Sequence, residues 1–190
     1  MKKLGLIGGI GPESTIEYYR SIEYGVQKKS GQNFFPNITI ESLNVFDVLN
    51  LCKNQDYDGL TDYLLNGINQ LSAAGVQYAA LTGITTHIVF DALSKVSPVP
   101  LVSMVDTASE FAKAHRYRKV CLLGTLPTMN GTFFQQSFES KGIEVITPDA
   151  QSSSISTAAS SSERVRRAWH SRSPLSRRTR HLIRRISRDS

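Results

Sequence analysis

The sequence predicts an α/β protein with a parallel sheet that is covered by helices on both faces. Three observations support this class. Short apolar segments alternate with longer segments in which apolar residues recur at helical spacing. Glycine or proline separates many of these segments. The hydrophobic content of 40% is ample for a packed core in a chain of 190 residues. Ligands of such sheets bind beyond the carboxyl ends of the strands.

The first predicted strand, residues 3–7, leads through a glycine-rich turn into a helix at residues 12–29, where Pro12 and Glu13 are typical start signals. A helix over residues 57–74 is predicted from its apolar stripe, and Gly75 ends it. The remaining elements follow from alternation, apolar runs and helix-ending prolines or glycines. They are strands at residues 37–43, 76–82, 101–104, 119–125 and 143–147, and helices at residues 87–96, 106–115 and 127–141.

These elements divide the chain into a first α/β lobe (residues 1–104), a partial second lobe (105–150) and a tail (151–190). The tail has twelve serines and ten arginines but no periodic segment, whereas the body has nine lysines and three arginines. One interpretation is a disordered basic tail that binds acidic partners. We favour an aberrant segment, translated in a wrong frame or added by a wrong gene end, and expect it to have no function.

Composition excludes several function classes for the body. Residues 1–150 carry twelve basic and fourteen acidic residues, so we expect no nucleic-acid surface. The two cysteines, Cys52 and Cys121, form no CxxC pair, and no His/Cys cluster has metal-ligand spacing. No run approaches the roughly 20 apolar residues of a membrane helix, and the apolar start lacks a cleavage site. We expect a cytoplasmic protein without a metal site.

Three predicted strand ends carry candidate ligand-binding residues. The glycines of the turn at residues 8–14 either let backbone approach a ligand, whose anionic group the following helix start favours, or serve only a tight strand-to-helix turn. It is not a nucleotide loop, because Ser14 replaces the third glycine of the dinucleotide pattern and the P-loop lysine is absent. Residues 81–87 and 123–129 place threonines beside helix starts, where they either bind an anion or only cap the helix.

These segments resemble the aspartate/glutamate racemase family. The resemblance covers residues 3–149 and rests on LIGGIGPEST (6–15), SLN (42–44), TTH (85–87) and LLGTLPTM (122–129). It implies a two-lobed α/β protein whose second lobe is incomplete here. It also implies two-base proton transfer at the α-carbon of aspartate or glutamate without a cofactor, and a homo-oligomer in the intact family form. The substrate contacts that it implies are Gly9, Gly11, Asn44, Thr85, Thr86, Thr125 and Thr128.

The resemblance also implies that catalytic residues are missing. Gly83 stands where the family has its first catalytic cysteine, and the tail replaces the segment that carries the second. Thr82 is a weak candidate because an unassisted hydroxyl is a poor base. His87 either touches a ligand or hydrogen-bonds within its loop. Cys121, in a predicted buried strand, is expected to be inert, and Cys52 lies on a helix without a matching motif.

We therefore predict an amino-acid racemase that is impaired or inactive in this chain. A non-catalytic binder of a small acidic amino acid is the first alternative, because it needs the ligand contacts but no bases. A nucleotide-binding α/β protein is the second, and the glycine pattern disfavours it.

Overall fold

A computed structural model of the protein describes residues 2–31, 33–124 and 126–147. The predictions for the tail at residues 151–190 lie outside the described residues. The described chain divides into two compact units, with the boundary between Met104 and Val105. No helix in the described ranges is long and apolar enough to cross a membrane.

The first unit contains a four-stranded parallel sheet in the order β2-β1-β3-β4. Its strands are β1 (Leu4–Gly8), β2 (Ile38–Ser42), β3 (Tyr78–Leu81) and β4 (Leu101–Val102). Leu4 of the central β1 pairs with Ile38 on one side and Tyr78 on the other. Every residue of β1 is buried, as expected for a strand inside a parallel sheet. The predicted α/β class with a parallel sheet and flanking helices is confirmed.

Helices connect the strands of this sheet. They are α1 (Pro12–Ser30), α2 (Val45–Lys53), α3 (Tyr57–Ala73) and α4 (Phe90–Val96), with a short 3₁₀ helix at Thr85–Val89 before α4. The 3₁₀ helix replaces the first turn of the predicted helix at residues 87–96. The predicted stripe on α3 is confirmed, because its four apolar side chains have no exposed area. Burying each contributes about 1.5–3 kcal/mol. These residues are Leu60, Leu64, Ile68 and Leu71.

The second unit begins at Val105, the second residue of α5 (Met104–Ala114). It contains β5 (Lys119–Cys121), α6 (Leu126–Asn130), α7 (Thr132–Glu139) and β6 (Glu144–Ile146), and β5 pairs with β6 in parallel. The single helix predicted at residues 127–141 is therefore wrong, because the extended backbone of Gly131 separates α6 from α7. Ser137 Oγ donates to Asp106 Oδ1 at 2.7 Å and joins α7 to α5.

A second prediction, that Cys121 lies in a buried strand, is also wrong. The sequence suggested a buried strand at residues 119–125, but β5 ends at Cys121 and this residue is exposed. Lys119 is exposed as well, and its ammonium group pairs with the Glu144 carboxylate at 2.9 Å across the two strands. A two-stranded sheet offers fewer covered positions than a wide sheet, so an apolar run is not enough to bury this thiol.

Candidate functional site

The candidate site lies where β1, β2 and β3 end at the same edge of the sheet. Leu43 N–H, just after β2, donates to Gly8 O at 3.0 Å. Thr82 N–H, just after β3, donates to Ile7 O at 3.0 Å. The loops after β2 and β3 therefore flank residues 9–11, which join β1 to α1. This is the position at which parallel sheets bind ligands.

Gly9 and Gly11 shape the central loop. Both have a left-handed backbone, with φ of 77° and 91°, which glycine adopts without steric cost. A Cβ on Gly9 would overlap Leu43 O, so this position also requires a residue without a side chain. Gly11 is the N-cap of α1. The first N–H groups of that helix have no intrahelical acceptor, and together with the helix dipole they favour an anion at this end.

Thr82 is buried in a hydrogen-bond network that links two strand ends. Its Oγ1 donates to Ile7 O at 3.1 Å and lies 3.0 Å from Thr15 Oγ1. Thr15 Oγ1 in turn accepts from Gly9 N–H at 3.0 Å and lies 3.1 Å from Gly11 O. The Thr82 hydroxyl thus holds β3 against the glycine loop. A hydroxyl that already donates to a backbone carbonyl is poorly placed to act as a base.

Gly83 faces Ile10 across the two loops. An ideal Cβ on Gly83 would lie 2.9 Å from Ile10 Cγ2 and 3.0 Å from Ile10 O, closer than Cβ atoms normally approach. The Ile10 side chain is itself buried. Because residue 83 is glycine, it carries no proton-transferring group. Ile10 must move before any side chain fits at this position.

Thr86 and His87 both contact the Gly83 carbonyl. Thr86 Oγ1 donates to Gly83 O at 2.8 Å, and His87 Nδ1 lies 3.2 Å from the same oxygen. Met104 N–H donates to His87 Nε2 at 3.1 Å. Because Nε2 accepts, the proton that donates to Gly83 O is on Nδ1, and the imidazole is neutral in this arrangement. His87 also stacks on Phe90 with ring centroids 5.1 Å apart. These contacts favour the structural interpretation of His87.

Asn44 lies just past β2 and caps α2. Its Oδ1 accepts from Phe46 N–H at 3.1 Å, and its own N–H donates to Tyr63 Oη at 3.2 Å. Tyr63 Oη donates to Asp47 Oδ2 at 3.2 Å. Burial, with a further contribution from the Asp47 carboxylate, raises the pKa of Tyr63, so the phenol stays protonated and keeps this donor. Asn44 itself is exposed at the rim of the site.

The structure places five of the predicted contact residues in the loops after β1, β2 and β3. Thr128 is buried on α6 in the second unit, near Gly124, and Thr125 lies outside the described residues. Grouping these two threonines with the others stays a prediction. The five in the first unit are Gly9, Gly11, Asn44, Thr85 and Thr86.

Sequence reasoning did not single out Thr15 or Ile10. The available signal was their position, because both flank the helix start that follows the glycine loop. Ile10 reads as an ordinary apolar residue until its contact with the loop after β3 is seen.

Neither cysteine lies in the loops after β1, β2 and β3. Burial raises the pKa of the half-buried Cys52 thiol on α2, which keeps it protonated and unreactive. Cys121 lies on β5 in the second unit. Among the described residues, no three His, Cys, Asp or Glu side chains are grouped to hold a metal ion.

A parallel sheet flanked by helices, with glycine- and threonine-rich strand ends at one edge, defines an α/β protein with a small-ligand site beyond the carboxyl ends of its strands. The chain is a member of the Asp/Glu/Hydantoin racemase family, whose profile matches residues 7–178. This confirms the resemblance seen in the sequence.

Individual relatives agree with this assignment. An aspartate racemase homologue from Pyrococcus horikoshii OT3 is 33% identical, with a TM-score of 0.74 over 85% of this chain and 71% of that one. A putative Asp/Glu racemase from Yersinia pestis is 31% identical, with a TM-score of 0.77 over 89% and 77%. The broad specificity amino-acid racemase RacX of Bacillus subtilis (strain 168) is 27% identical over 150 residues. This match covers 77% of the chain but only 64% of RacX.

Proposed function

We propose that this chain binds a small acidic amino acid on a racemase scaffold and does not invert it. The observation that carries the proposal is the contact between Gly83 and Ile10. The family resemblance assigns residue 83 to the first of two proton-transferring groups. Here that residue has no side chain, and an apolar side chain fills the adjacent space.

Binding and inversion place different demands on the site. A carboxylate needs N–H and O–H donors, and the loop at residues 9–11, the start of α1 and the residues around Thr85 supply backbone and hydroxyl groups of this kind. Inversion also needs an acid/base group on each face of the α-carbon, one deprotonated while the other is protonated. Loss of one such group typically lowers the rate by about 10²–10⁴-fold.

Neighbouring groups are poorly placed to replace the missing base. The Thr82 hydroxyl donates to Ile7 O, and His87 Nε2 accepts from Met104 N–H. Taking up a substrate proton at His87 Nε2 would cost the hydrogen bond to Met104 N–H. Leaving a buried donor unsatisfied costs about 1–3 kcal/mol. We infer that binding survives and inversion does not.

The names of the relatives support an amino-acid ligand. They describe an aspartate racemase homologue, a putative Asp/Glu racemase and a broad specificity amino-acid racemase. A nucleotide is the rival ligand. It is disfavoured because Ser14 stands at the third glycine position and its Oγ donates to Gly11 O at 2.7 Å, inside the turn that a pyrophosphate would approach.

The cytoplasmic location expected from the sequence stays a prediction.

Titration calorimetry tests the ligand class. L-aspartate, D-aspartate and L-glutamate are titrated into the full chain, with L-asparagine as a neutral control and with NAD and ATP as the rival ligands. We expect saturable heat from at least one acidic amino acid, weaker binding of asparagine, and no binding of NAD or ATP. Binding of a nucleotide without any acidic amino acid would overturn the proposal.

A further inference from the structure

The side chain of Thr15, the fourth residue of α1, contacts the loops after both β1 and β3. Its Oγ1 accepts from Gly9 N–H at 3.0 Å and lies 3.1 Å from Gly11 O. The same oxygen lies 3.0 Å from Thr82 Oγ1, just after β3. A single buried hydroxyl therefore contacts both ends of the loop at residues 9–11 and the end of a neighbouring strand.

The hydrogen atoms of this network have few alternative arrangements. A threonine hydroxyl donates one hydrogen bond and accepts up to two. The Thr82 hydroxyl donates to Ile7 O, so its oxygen is an acceptor toward Thr15. The Thr15 hydroxyl donates either to Thr82 Oγ1 or to Gly11 O. Within the described residues, Gly9 N–H has Thr15 Oγ1 as its acceptor and no other, so this buried donor depends on the Thr15 hydroxyl.

Packing holds the Thr15 side chain in this orientation. A Cβ added to Gly8 would lie 2.6 Å from Thr15 Cγ2, so the methyl group of Thr15 fills the space that a side chain at residue 8 would need. A β-branched side chain in a helix also has few favourable values of χ1. The hydroxyl is therefore directed at the glycine loop before any ligand binds, and less side-chain entropy is lost on binding.

We infer that Thr15 is a positioning residue for the ligand of this site. Its hydroxyl fixes the left-handed backbone of Gly9 and Gly11, and this conformation forms the loop at the start of α1 where the carboxylate is proposed to bind. Thr15 acts through the loop and does not need to touch the ligand. Its effect on affinity rests on the proposed function, whereas its effect on the loop does not.

A purely structural role of Thr15 predicts a different outcome. A threonine in a helix can donate to the carbonyl four residues earlier, as the contact with Gly11 O allows. Such a bond would influence folding but not the affinity of a folded protein for its ligand. The bond from Gly9 N–H does not belong to that helical pattern, and it connects Thr15 to the loop before the helix.

Two matched pairs of variants isolate the hydroxyl. Thr15→Val replaces it with a methyl group of similar size, and Thr15→Ala differs from Thr15→Ser only in lacking it. Calorimetry uses whichever of L-aspartate, D-aspartate and L-glutamate binds the unmodified chain most tightly, and circular dichroism verifies that each variant is folded. Thr15→Val and Thr15→Ala should raise the Kd by at least about tenfold, whereas Thr15→Ser should stay within about threefold of the unmodified chain.

The NMR signal of the Gly9 amide proton tests the loop without any ligand. It should shift in Thr15→Val and Thr15→Ala, because the amide has lost its acceptor, and should return toward its original position in Thr15→Ser. Ile22→Val is the control, because Ile22 is buried on α1 but lies outside the site. Removing this methylene should lower the thermal stability and leave both the Kd and the Gly9 signal unchanged.

Three results would overturn the positioning role. Thr15→Val could bind as tightly as the unmodified chain, Thr15→Ser could bind as weakly as Thr15→Ala, or Ile22→Val could weaken binding as much as Thr15→Val. An unmodified chain that binds none of the three amino acids contradicts the proposed function instead. In that case the Gly9 signal decides, because an unchanged signal in Thr15→Val would show that the hydroxyl does not fix the loop.

Discussion

Ile10 and Gly83 lie so close that a Cβ on Gly83 would come within 2.9 Å of Ile10 Cγ2 and 3.0 Å of Ile10 O. The loops after β1 and β3 therefore fit together only because one of the two residues has no side chain. Through this contact, the loop at residues 9–11 lies directly against residue 83, where the family resemblance implies a catalytic base.

Installing a side chain at residue 83 should destabilise the fold. We expect Gly83→Cys to lower the free energy of unfolding by about 1–3 kcal/mol, the usual cost of overpacking. Adding Ile10→Ala should recover part of the loss, because it removes Cγ2 but leaves the backbone oxygen of Ile10 in place. Urea unfolding of both single variants and the double variant measures the coupling. Equal stability of Gly83→Cys and the unmodified chain would show that the loops adjust freely.

Gly9 should tolerate alanine much less well than Gly75. The two glycines have nearly the same φ, 77° and 78°, so alanine incurs the same backbone penalty at both positions. A Cβ on Gly9 would overlap Leu43 O, whereas nothing lies within 4 Å of one on Gly75. Gly9→Ala should therefore lose at least about 1 kcal/mol more stability than Gly75→Ala. A thermal unfolding comparison gives the difference, and equal losses would contradict the close approach of the two loops.

Glu23 should make stability fall as the pH rises. Burial on α1 raises the pKa of Glu23, and a hydrogen bond from Tyr19 offsets this shift in part. A carboxyl whose folded pKa exceeds its unfolded pKa contributes stability below the unfolded value and loses it as the pH rises through the folded value. Glu23→Gln, which stays neutral, should therefore be more stable than the unmodified chain at pH 7 but not near pH 3.

The control for this effect is Glu139→Gln, on an exposed residue at the end of α7. Because Glu139 is exposed, Glu139→Gln should gain less stability than Glu23→Gln at pH 7. Chemical denaturation at each pH supplies the comparison. A Glu23→Gln variant that gains nothing at pH 7 would show that the buried carboxylate is adequately solvated.

Local signals predicted much of the fold. Pro12 marked the start of α1 to the residue, and the apolar spacing on α3 identified all four of its fully buried side chains. Gly75, predicted to end α3, has the positive φ that favours glycine at such a position. These features depend on neighbours in sequence, which is why the sequence alone was sufficient.

Tertiary contacts explain what the sequence did not reveal. Ile10 and Gly83 are 73 positions apart, and only the pairing of β1 with β3 brings them together. The network between Thr15 and Thr82 has the same origin. Cys121 is exposed because β5 belongs to a sheet of two strands in the described residues, and a local sequence pattern does not predict the number of strands in a sheet.

The most direct test of the account follows the α-proton of aspartate in heavy water by NMR, with L- and D-aspartate examined separately in the presence of the full chain. The account predicts saturable binding of an acidic amino acid, seen by calorimetry on the same preparation, but no inversion and no α-proton exchange above background. Exchange of one enantiomer alone would show that a single group still works from one face. Racemisation of both enantiomers at ordinary enzymatic rates would contradict the claim that Gly83 leaves the site without the first of its two proton-transferring groups.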